Sequence, residues 1–186
     1  MFTLNEVVKH AALTWPKAST VTPQGRGGLG AVMGAKKLKA VVAYGTKKTQ
    51  EARHNKLNAL IKRILPDIAE KTKGFREYGT TGGFMGAYEL GDVNIRNWSE
   101  GTWDEAANLA GPRINDKIFV KRFHCGGCPV GCGRVIEITD GPYAGVRGAG
   151  PEYETLAGLG ANCLVGNLEG ISYANELCNR YGLDII

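Results

Sequence analysis

Three cysteines stand close together in the chain. Cys125, Cys128 and Cys132 have C-x2-C-x3-C spacing within the sequence FHCGGCPVGCGR. Thiolates so close can converge on one soft metal centre, because the intervening glycines remove Cβ crowding and let backbone N–H groups turn toward sulfur. An iron–sulfur cluster is the first ligand to consider, although a cluster with four protein ligands needs one more than this loop supplies.

Two other interpretations of the cysteine loop stay open. His124 as a fourth ligand would complete a zinc site with three thiolates, although adjacent side chains in an extended loop point apart. The thiols could also remain without a metal. Cys163 and Cys178 lie outside the loop, on segments predicted to belong to the core, where a thiol behaves as a small apolar side chain.

A second stretch that could bind a ligand is the glycine turn GRGGLG, which begins at Gly25 and ends at Gly30. It matches the dinucleotide-binding pattern, but the following helix is predicted to end near Lys37, and the next strand leads into Gly45 without an acid for a ribose hydroxyl. Such a turn still presents backbone N–H groups ahead of a helix, and Arg26 would add a charged fork. Phosphate is therefore one expected ligand, and a packing corner between helix and strand is the other interpretation.

Hydrophobic patterns predict the elements that must hold these stretches. Apolar residues at three-and-four spacing predict an amphipathic helix over residues 50–73, which Pro66 should kink or break. A loop is expected over residues 78–83, and alternation after the cysteine loop predicts a strand over 134–138. The composition shift at residues 46–51 makes that segment the best domain boundary.

Two further helices are predicted near the end of the chain. The pair Gly150-Pro151 predicts the start of a helix whose first turn would contain Glu152 and Glu154. The favoured role for Glu152 is compensation of the helix dipole. Asn167 is expected to cap the final helix and Gly182 to end it. The apolar stripe of that helix is predicted to comprise Ile171, Ala174, Cys178 and Tyr181.

Composition limits the class of protein. The 186 residues are 43% hydrophobic, enough for one domain with a core or for parts of two. The net charge of +5 is explained mostly by a solvated helix face, and the basic residues are not interleaved with an aromatic ladder, so no nucleic-acid partner is expected. Five cysteines, with no spanning apolar run and no secretion signal, predict a cytoplasmic protein that is not bound to a membrane.

Four blocks together resemble the tungsten-dependent aldehyde ferredoxin oxidoreductase family. They are GRGGLGAVMG at 25–34, the cysteine loop, GPEYE at 150–154 and GLD at 182–184, in the family's order and spacing. The resemblance implies an α+β fragment. Residues 1–48 would be a short β and turn remnant of the N-terminal pterin-binding domain, and residues 49–186 the first part of a mainly α-helical domain that carries the iron–sulfur loop.

The resemblance also implies roles for individual residues. Cys125, Cys128 and Cys132 would match three of the four ligands of a [4Fe-4S] cluster, whose fourth ligand in the family is a cysteine far downstream. Glu154 matches a carboxylate that acts near the tungsten. Its place in the first turn of a helix stabilises the anion, which favours a base over an acid.

Two stretches would hold the pterin cofactor. Gly25 and Arg26 would match a site for the pterin and for the Mg²⁺ that bridges the pterin phosphates. Four residues would match the family's D-x-x-G-L-D pterin-binding turn, namely Asn179, Gly182, Leu183 and Asp184. Asn179 replaces the first Asp of that motif, which keeps an acceptor and loses a charge.

Subunit contacts in the family bear on two further positions. Some members carry an E-x-x-H iron motif that joins two subunits on the helix before the pterin turn. Tyr173 and Glu176 stand at the matching positions of this chain. A homodimer of this protein is therefore expected to lack a bridging iron.

The activity implied by the resemblance is oxidation of a small aldehyde to a carboxylic acid at a tungsten or molybdenum bis-pterin. The cluster would pass electrons singly to ferredoxin, and the missing remainder of the chain would be a necessary partner, so that the isolated fragment is expected to be inactive. The alternative from another class is a stand-alone metal-binding module, either an iron–sulfur electron carrier or a structural zinc site, with Cys163 as a candidate fourth ligand. A basic structural or nucleic-acid-binding protein ranks last because it leaves the cysteine loop unexplained.

Overall fold

The computed structural model of the protein describes residues 29–38, 51–125 and 127–185. In chain order these residues form α1 (Leu29–Ala35), α2 (His54–Lys71), α3 (Lys73–Tyr78), α4 (Phe84–Glu89), α5 (Gly111–Lys117), β1 (Phe119–Phe123), β2 (Gly133–Glu137), β3 (Arg147–Ala149), α6 (Tyr153–Thr155) and α7 (Leu168–Tyr181). Short 3-10 helices occupy Gly79–Gly83, Ala106–Leu109, Gly141–Tyr143 and Ala161–Cys163, and the π-helix Leu156–Gly160 continues α6. Helices combined with one small sheet make an α+β architecture, as predicted. The predicted boundary at residue 48 lies outside the described residues.

The antiparallel sheet positions the cysteine loop, which connects β1 to β2. The strand order is β1-β2-β3, and Phe123 stands opposite Gly133 where the loop leaves the sheet. A Cβ on Gly133 would lie only 2.5 Å from the Phe123 ring, so the ring packs directly on this glycine. Most of β2 is buried whereas most of β1 is exposed. The strand predicted over 134–138 is therefore confirmed within one residue, and it is the central strand.

One apolar core joins the helices to the sheet. Its most deeply buried members come from elements spread along the chain and include Phe84, Leu109, Ile114, Ile136, Leu156 and Ile171. Side chains of this kind stabilise a fold chiefly by removing apolar area from water. The core therefore holds β2, the π-helix and α7 together around the segments that contain the predicted site.

Helix α2 lies within the range predicted for it, residues 50–73, although Pro66 does not break it. It runs without a break from His54 to Lys71 and contains Pro66 in its interior. Every residue of α2 is at least partly exposed, so water can satisfy the backbone carbonyl that loses its partner to the proline. The loop predicted over residues 78–83 is also corrected, because Gly79–Gly83 form a 3-10 helix.

The ends of α7 agree with the predictions made from local signals. Asn167 Oδ1 accepts a hydrogen bond from the backbone N–H of Gly170 at 2.8 Å, and Gly182 ends the helix with φ 67°. The buried face differs from the predicted stripe, since Asn175 is buried and Tyr181 is exposed. Across residues 29–38, 51–125 and 127–185, no helix combines the length and the apolar composition that a membrane span requires.

Close packing of the π-helix leads to a test of the core. A Cβ on Gly160 would collide with Cδ1 of Leu109 and would lie 3.2 Å from Cδ1 of Ile171. We expect Gly160→Ala to lower the free energy of unfolding by about 1–3 kcal/mol through overpacking. Urea denaturation measures this loss. Gly158→Ala is the matched control, because its Cβ would make only ordinary contacts, with the Ile185 carbonyl oxygen at 3.4 Å and Cγ2 at 3.8 Å. Equal destabilisation by both variants would contradict the packing described for Gly160.

Candidate metal and cofactor site

The three predicted metal ligands lie in the loop between β1 and β2. Cys125 is exposed, whereas Cys128 and Cys132 are half-buried. Burial raises the pKa of the Cys132 thiol most, followed by the negative charge of Glu152, and the two other thiols of the loop raise it further. Within the described ranges, with Gly126 left out, no group of three or more His, Cys, Asp or Glu side chains is arranged to hold a metal ion. The ligand set therefore stays a prediction.

The backbone of the loop depends on glycine and encloses a histidine. Gly127 and Gly131 have φ values of 74° and 66°, which favour glycine, and the N–H of Cys128 donates to the Cys125 carbonyl at 3.1 Å. Nδ1 of His124 lies 3.1 Å from the carbonyl oxygen of Cys128 and must be the donor, since a carbonyl only accepts. A Cβ on Gly131 would lie 2.6 Å from Nε2 of the same ring. The imidazole is thus packed on the loop's own backbone, which does not favour its use as a zinc ligand.

Arg134 follows the loop and is the largest buried side chain in the described part of the chain, with 1% of its surface exposed. Its Nη2 donates to the carbonyl of Pro151 at 3.3 Å. A Cβ on Gly79 would lie 2.7 Å from the Arg134 Cζ and 2.8 Å from the Cys132 carbonyl oxygen, so the guanidinium is close to the cysteine loop. Burial lowers the pKa of Arg134, while the negative charges of Glu152 and Cys132 oppose that change. An arginine keeps its proton at neutral pH even so.

The segment that contains the predicted catalytic carboxylate is attached to this arginine. The N–H of Gly150 donates to the Arg134 backbone carbonyl at 2.8 Å, in addition to the side-chain bond to Pro151. Glu154 lies in the first turn of α6, as predicted, and is half-buried. The carboxylate segment and the cysteine loop are therefore joined through one residue.

Glu152 has a different place from the one predicted. It is the residue before the first turn of α6 rather than a member of it. Its Oε2 accepts a hydrogen bond from the hydroxyl of Thr80, whose Oγ1 accepts in turn from the N–H of Tyr153 at 2.9 Å. Through Thr80, the Glu152 carboxylate connects the start of α6 to the 3-10 helix Gly79–Gly83. This structural role is additional to the predicted compensation of the helix dipole.

A buried polar contact links α6 to α7. The hydroxyl of Thr155 donates to Oδ1 of Asn175 at 3.3 Å, and Nδ2 of Asn175 donates to the carbonyl of Ala149 at 3.1 Å. Sequence reasoning missed Asn175. Its only sequence signal is an amide one helical turn after Ile171, on the face predicted to be apolar.

The predicted pterin turn meets the glycine-rich block. The N–H of Ala31 in α1 donates to the carbonyl of Gly182 at 3.2 Å, and a Cβ on Gly182 would lie 2.9 Å from that same nitrogen. Gly182 is therefore required both by its φ and by this close approach. Gly25 and Arg26, the predicted phosphate contacts, lie outside the described residues.

The other members of the predicted pterin turn surround Gly182. The carbonyl of Asn179 accepts from the Gly182 N–H at 3.4 Å, and the N–H of Leu183 donates to the Cys178 carbonyl at 2.9 Å. Oδ1 of Asp184 accepts from the N–H of Ile185 at 2.9 Å. These bonds close the C-terminal end of α7 and hold the residues that follow it, and the role of the turn in pterin binding stays a prediction.

Residues outside this region gave one correction. Cys163 was expected to be buried but is exposed, and its thiol donates to the Gly158 carbonyl at 3.4 Å. Cys178 is half-buried, and burial raises its pKa. At the positions of the family's iron motif, the Tyr173 ring packs against Tyr143 with centroids 5.5 Å apart, and Glu176 pairs with Arg180 at 3.5 Å.

Comparisons with known proteins agree with the blocks described above. A family model for aldehyde ferredoxin oxidoreductase, domains 2 and 3, matches residues 56–186. Tungsten-containing aldehyde ferredoxin oxidoreductases from Thermococcus kodakarensis and Pyrococcus furiosus are 35% and 34% identical over 165 residues, 87% of this chain and 27% of each relative. The WOR-like subunit of an aliphatic sulfonate oxidoreductase from Pyrococcus furiosus is 34% identical over 163 residues, 86% of this chain and 26% of that protein.

The chain thus spans about a quarter of the length of these relatives. The matched region contains the cysteine loop, the Glu154 segment and the turn after α7. The resemblance first noticed in four sequence blocks is confirmed, and the chain belongs to the aldehyde ferredoxin oxidoreductase family.

Proposed function

We propose that this chain forms part of the active centre of a cytoplasmic tungsten or molybdenum oxidoreductase. The enzyme would oxidise a small aldehyde to a carboxylic acid at a bis-pterin metal centre and pass the electrons singly through a [4Fe-4S] cluster to ferredoxin. Family membership supports the oxidoreductase class. The same proposal includes the remaining segments of the enzyme as necessary partners of this chain. It also includes a homodimer without bridging iron.

One continuous series of contacts is the observation that supports this function best. Arg134 joins the cysteine loop to the Glu154 segment, and Asn175 joins that segment to α7. Gly182, at the end of α7, meets the glycine-rich block at Ala31. The four blocks, which are separate in the sequence, are thus linked through the fold, as is expected of segments that build one catalytic centre.

The residues of the loop fit an iron–sulfur cluster by their chemistry. Cys125, Cys128 and Cys132 would hold the cluster as thiolates, the ligands that iron–sulfur sites use, and the buried guanidinium of Arg134 suits a negatively charged group nearby. Bound there, the cluster would supply one-electron transfer. The turn after α7 would hold a pterin, and Gly25 and Arg26 would hold a pterin together with the Mg²⁺ that bridges the pterin phosphates.

Glu154 is the residue that would move a proton. Converting an aldehyde and water to a carboxylic acid releases two electrons and two protons, so a base must accept a proton from the water-derived oxygen. Glu154 is half-buried in the first turn of α6, on the segment that Arg134 connects to the cysteine loop. An ionised carboxylate is the form that can accept the proton.

Substrate class needs a direct comparison, because the chain is about as similar to a sulfonate oxidoreductase subunit as to the aldehyde enzymes. Ferredoxin reduction by the complete gene product should therefore be measured with a panel of aldehydes and of aliphatic sulfonates. Reduction with aldehydes supports the proposed activity. Reduction with sulfonates alone would replace the substrate and keep the oxidoreductase class.

Metal content of the complete gene product, purified without oxygen, tests the cofactors. We expect about four irons per chain with matching acid-labile sulfide, tungsten or molybdenum, and little zinc. Inductively coupled plasma spectrometry and a sulfide assay measure these amounts. Stoichiometric zinc without sulfide would overturn the proposal in favour of a structural zinc site.

A further inference from the structure

Within the residues that the structure describes, the contacts of Arg134 leave part of its buried guanidinium without hydrogen-bond partners. The guanidinium is almost fully buried, yet its Nε and Nη1 have no hydrogen-bond partner among the described residues. Leaving such donors unpaired costs free energy, and burying an isolated charge costs more. An arginine in this position therefore requires a compensating negative group close to it.

The protein itself supplies only part of that compensation. Nη2 is bonded to the carbonyl of Pro151, and Glu152 contributes a negative charge from the same segment while its Oε2 accepts from Thr80. On the side of the cysteine loop, the guanidinium and the Cys132 carbonyl oxygen both lie close to Gly79. The unpaired Nη1 thus lies near the backbone of Cys132, a predicted cluster ligand.

We propose that Arg134 and Glu152 form an opposed charge pair that sets the reduction potential of the cluster held by the cysteine loop. The inference rests on the proposed function. Uptake of one electron makes a thiolate-bound cluster more negative by one charge, and a buried positive charge stabilises that reduced form where the effective dielectric is low. The negative charge of Glu152 acts in the opposite direction. Arg134 is then a positioning residue whose charge, rather than its bulk, matters to the cluster.

Charge removal at the two positions should shift the potential in opposite directions. At a fixed applied potential near the midpoint, Arg134→Met should lower the ratio of reduced to oxidised cluster about tenfold, equivalent to about 59 mV for a one-electron couple. Glu152→Gln should raise the same ratio by several-fold. Arg134→Lys keeps the charge and should stay closer to the unmodified protein than Arg134→Met does.

An exposed arginine of the same sheet provides the matched control. The Arg147 side chain on β3 is 57% exposed and lies 3.7 Å from a Glu137 carboxylate oxygen. Water and salt screen a charge in that setting, so Arg147→Met should change the ratio less than about twofold. A shift as large as that of Arg134→Met would show that net charge, and not the buried position, controls the potential.

The test is a redox titration of the anaerobically purified complete gene product, followed by electron paramagnetic resonance of the reduced cluster. Iron and sulfide are measured first in each variant. If the unmodified protein holds no cluster, the proposed function fails and the inference fails with it.

If the cluster is present and its potential is unchanged in Arg134→Met, the inference alone is overturned. Shifts of the same sign in Arg134→Met and Glu152→Gln would indicate a merely structural role and would also overturn it. Should Arg134→Met lose its cluster, Glu152→Gln still decides the question, because an unchanged potential in that variant contradicts the charge pair.

Discussion

Replacing Cys128 by serine is expected to remove the proposed iron–sulfur cluster from the complete gene product. A hydroxyl is a much poorer ligand for iron in these clusters than a thiolate. Serine is close to cysteine in size, and the N–H of residue 128 can still donate to the Cys125 carbonyl, so the turn itself should survive. Iron, sulfide and ferredoxin reduction should each fall at least about tenfold, as measured by metal analysis and by steady-state assay.

Cys163 provides the control for this expectation. It is exposed and its thiol donates to the Gly158 carbonyl, away from the connection between β1 and β2. Cys163→Ala should leave iron and sulfide unchanged. Loss of metal from Cys163→Ala would instead favour the stand-alone module in which this thiol is the fourth ligand, and a Cys128→Ser variant with a full cluster would refute the ligand assignment.

The second large effect is expected at Glu154. Glutamine keeps the size of the side chain but cannot accept a proton, so turnover with an aldehyde should fall by about 10²- to 10⁴-fold. Iron, sulfide and tungsten should remain at their unmodified levels, because no role in holding these groups is proposed for Glu154. Steady-state kinetics combined with metal analysis of the same sample separates lost chemistry from lost cofactor.

Another first-turn glutamate provides the matched control. Glu169 stands in the first turn of α7 and pairs with Lys117 at 2.8 Å, and this hydrogen bond lowers the pKa of Glu169. Glu169→Gln should cost no more than about 1 kcal/mol of stability and should leave turnover unchanged. Glu154→Gln with turnover within about tenfold of the unmodified enzyme would remove Glu154 from the proposed chemistry.

Local signals predicted the elements that depend on short-range bonds. Asn167 and Gly182 mark the two ends of α7 because a cap and a left-handed residue act within one turn. The strand after the cysteine loop was likewise visible in its alternation. In these cases the physical cause lies within a few residues of the pattern that reports it.

Local patterns of this kind could not predict contacts between segments that are distant in the sequence. Burial of Arg134 depends on Gly79 and on Pro151, and neither neighbour can be deduced from the strand that contains the arginine. The role of Glu152 likewise depends on Thr80, whose hydroxyl meets it across the fold.

The exposure of Cys163 has a local cause, the backbone conformation of the residue that follows it. Its 3-10 helix is followed by Leu164 with φ 56°, and only Ala161 of that short helix reaches the core. A non-glycine residue in the left-handed region is uncommon, so the apolar sequence gave no sign of the change in direction.

The bond between Ala31 and Gly182 bears on the order in which the protein folds. It joins residues about 150 positions apart, and closing so large a loop carries an entropic cost that grows with the logarithm of its length. The hairpin of β1 and β2 brings together only near neighbours and can form early. The three thiols should therefore be brought together before the proposed pterin turn meets α1, which would let the proposed cluster assemble on a partly folded chain.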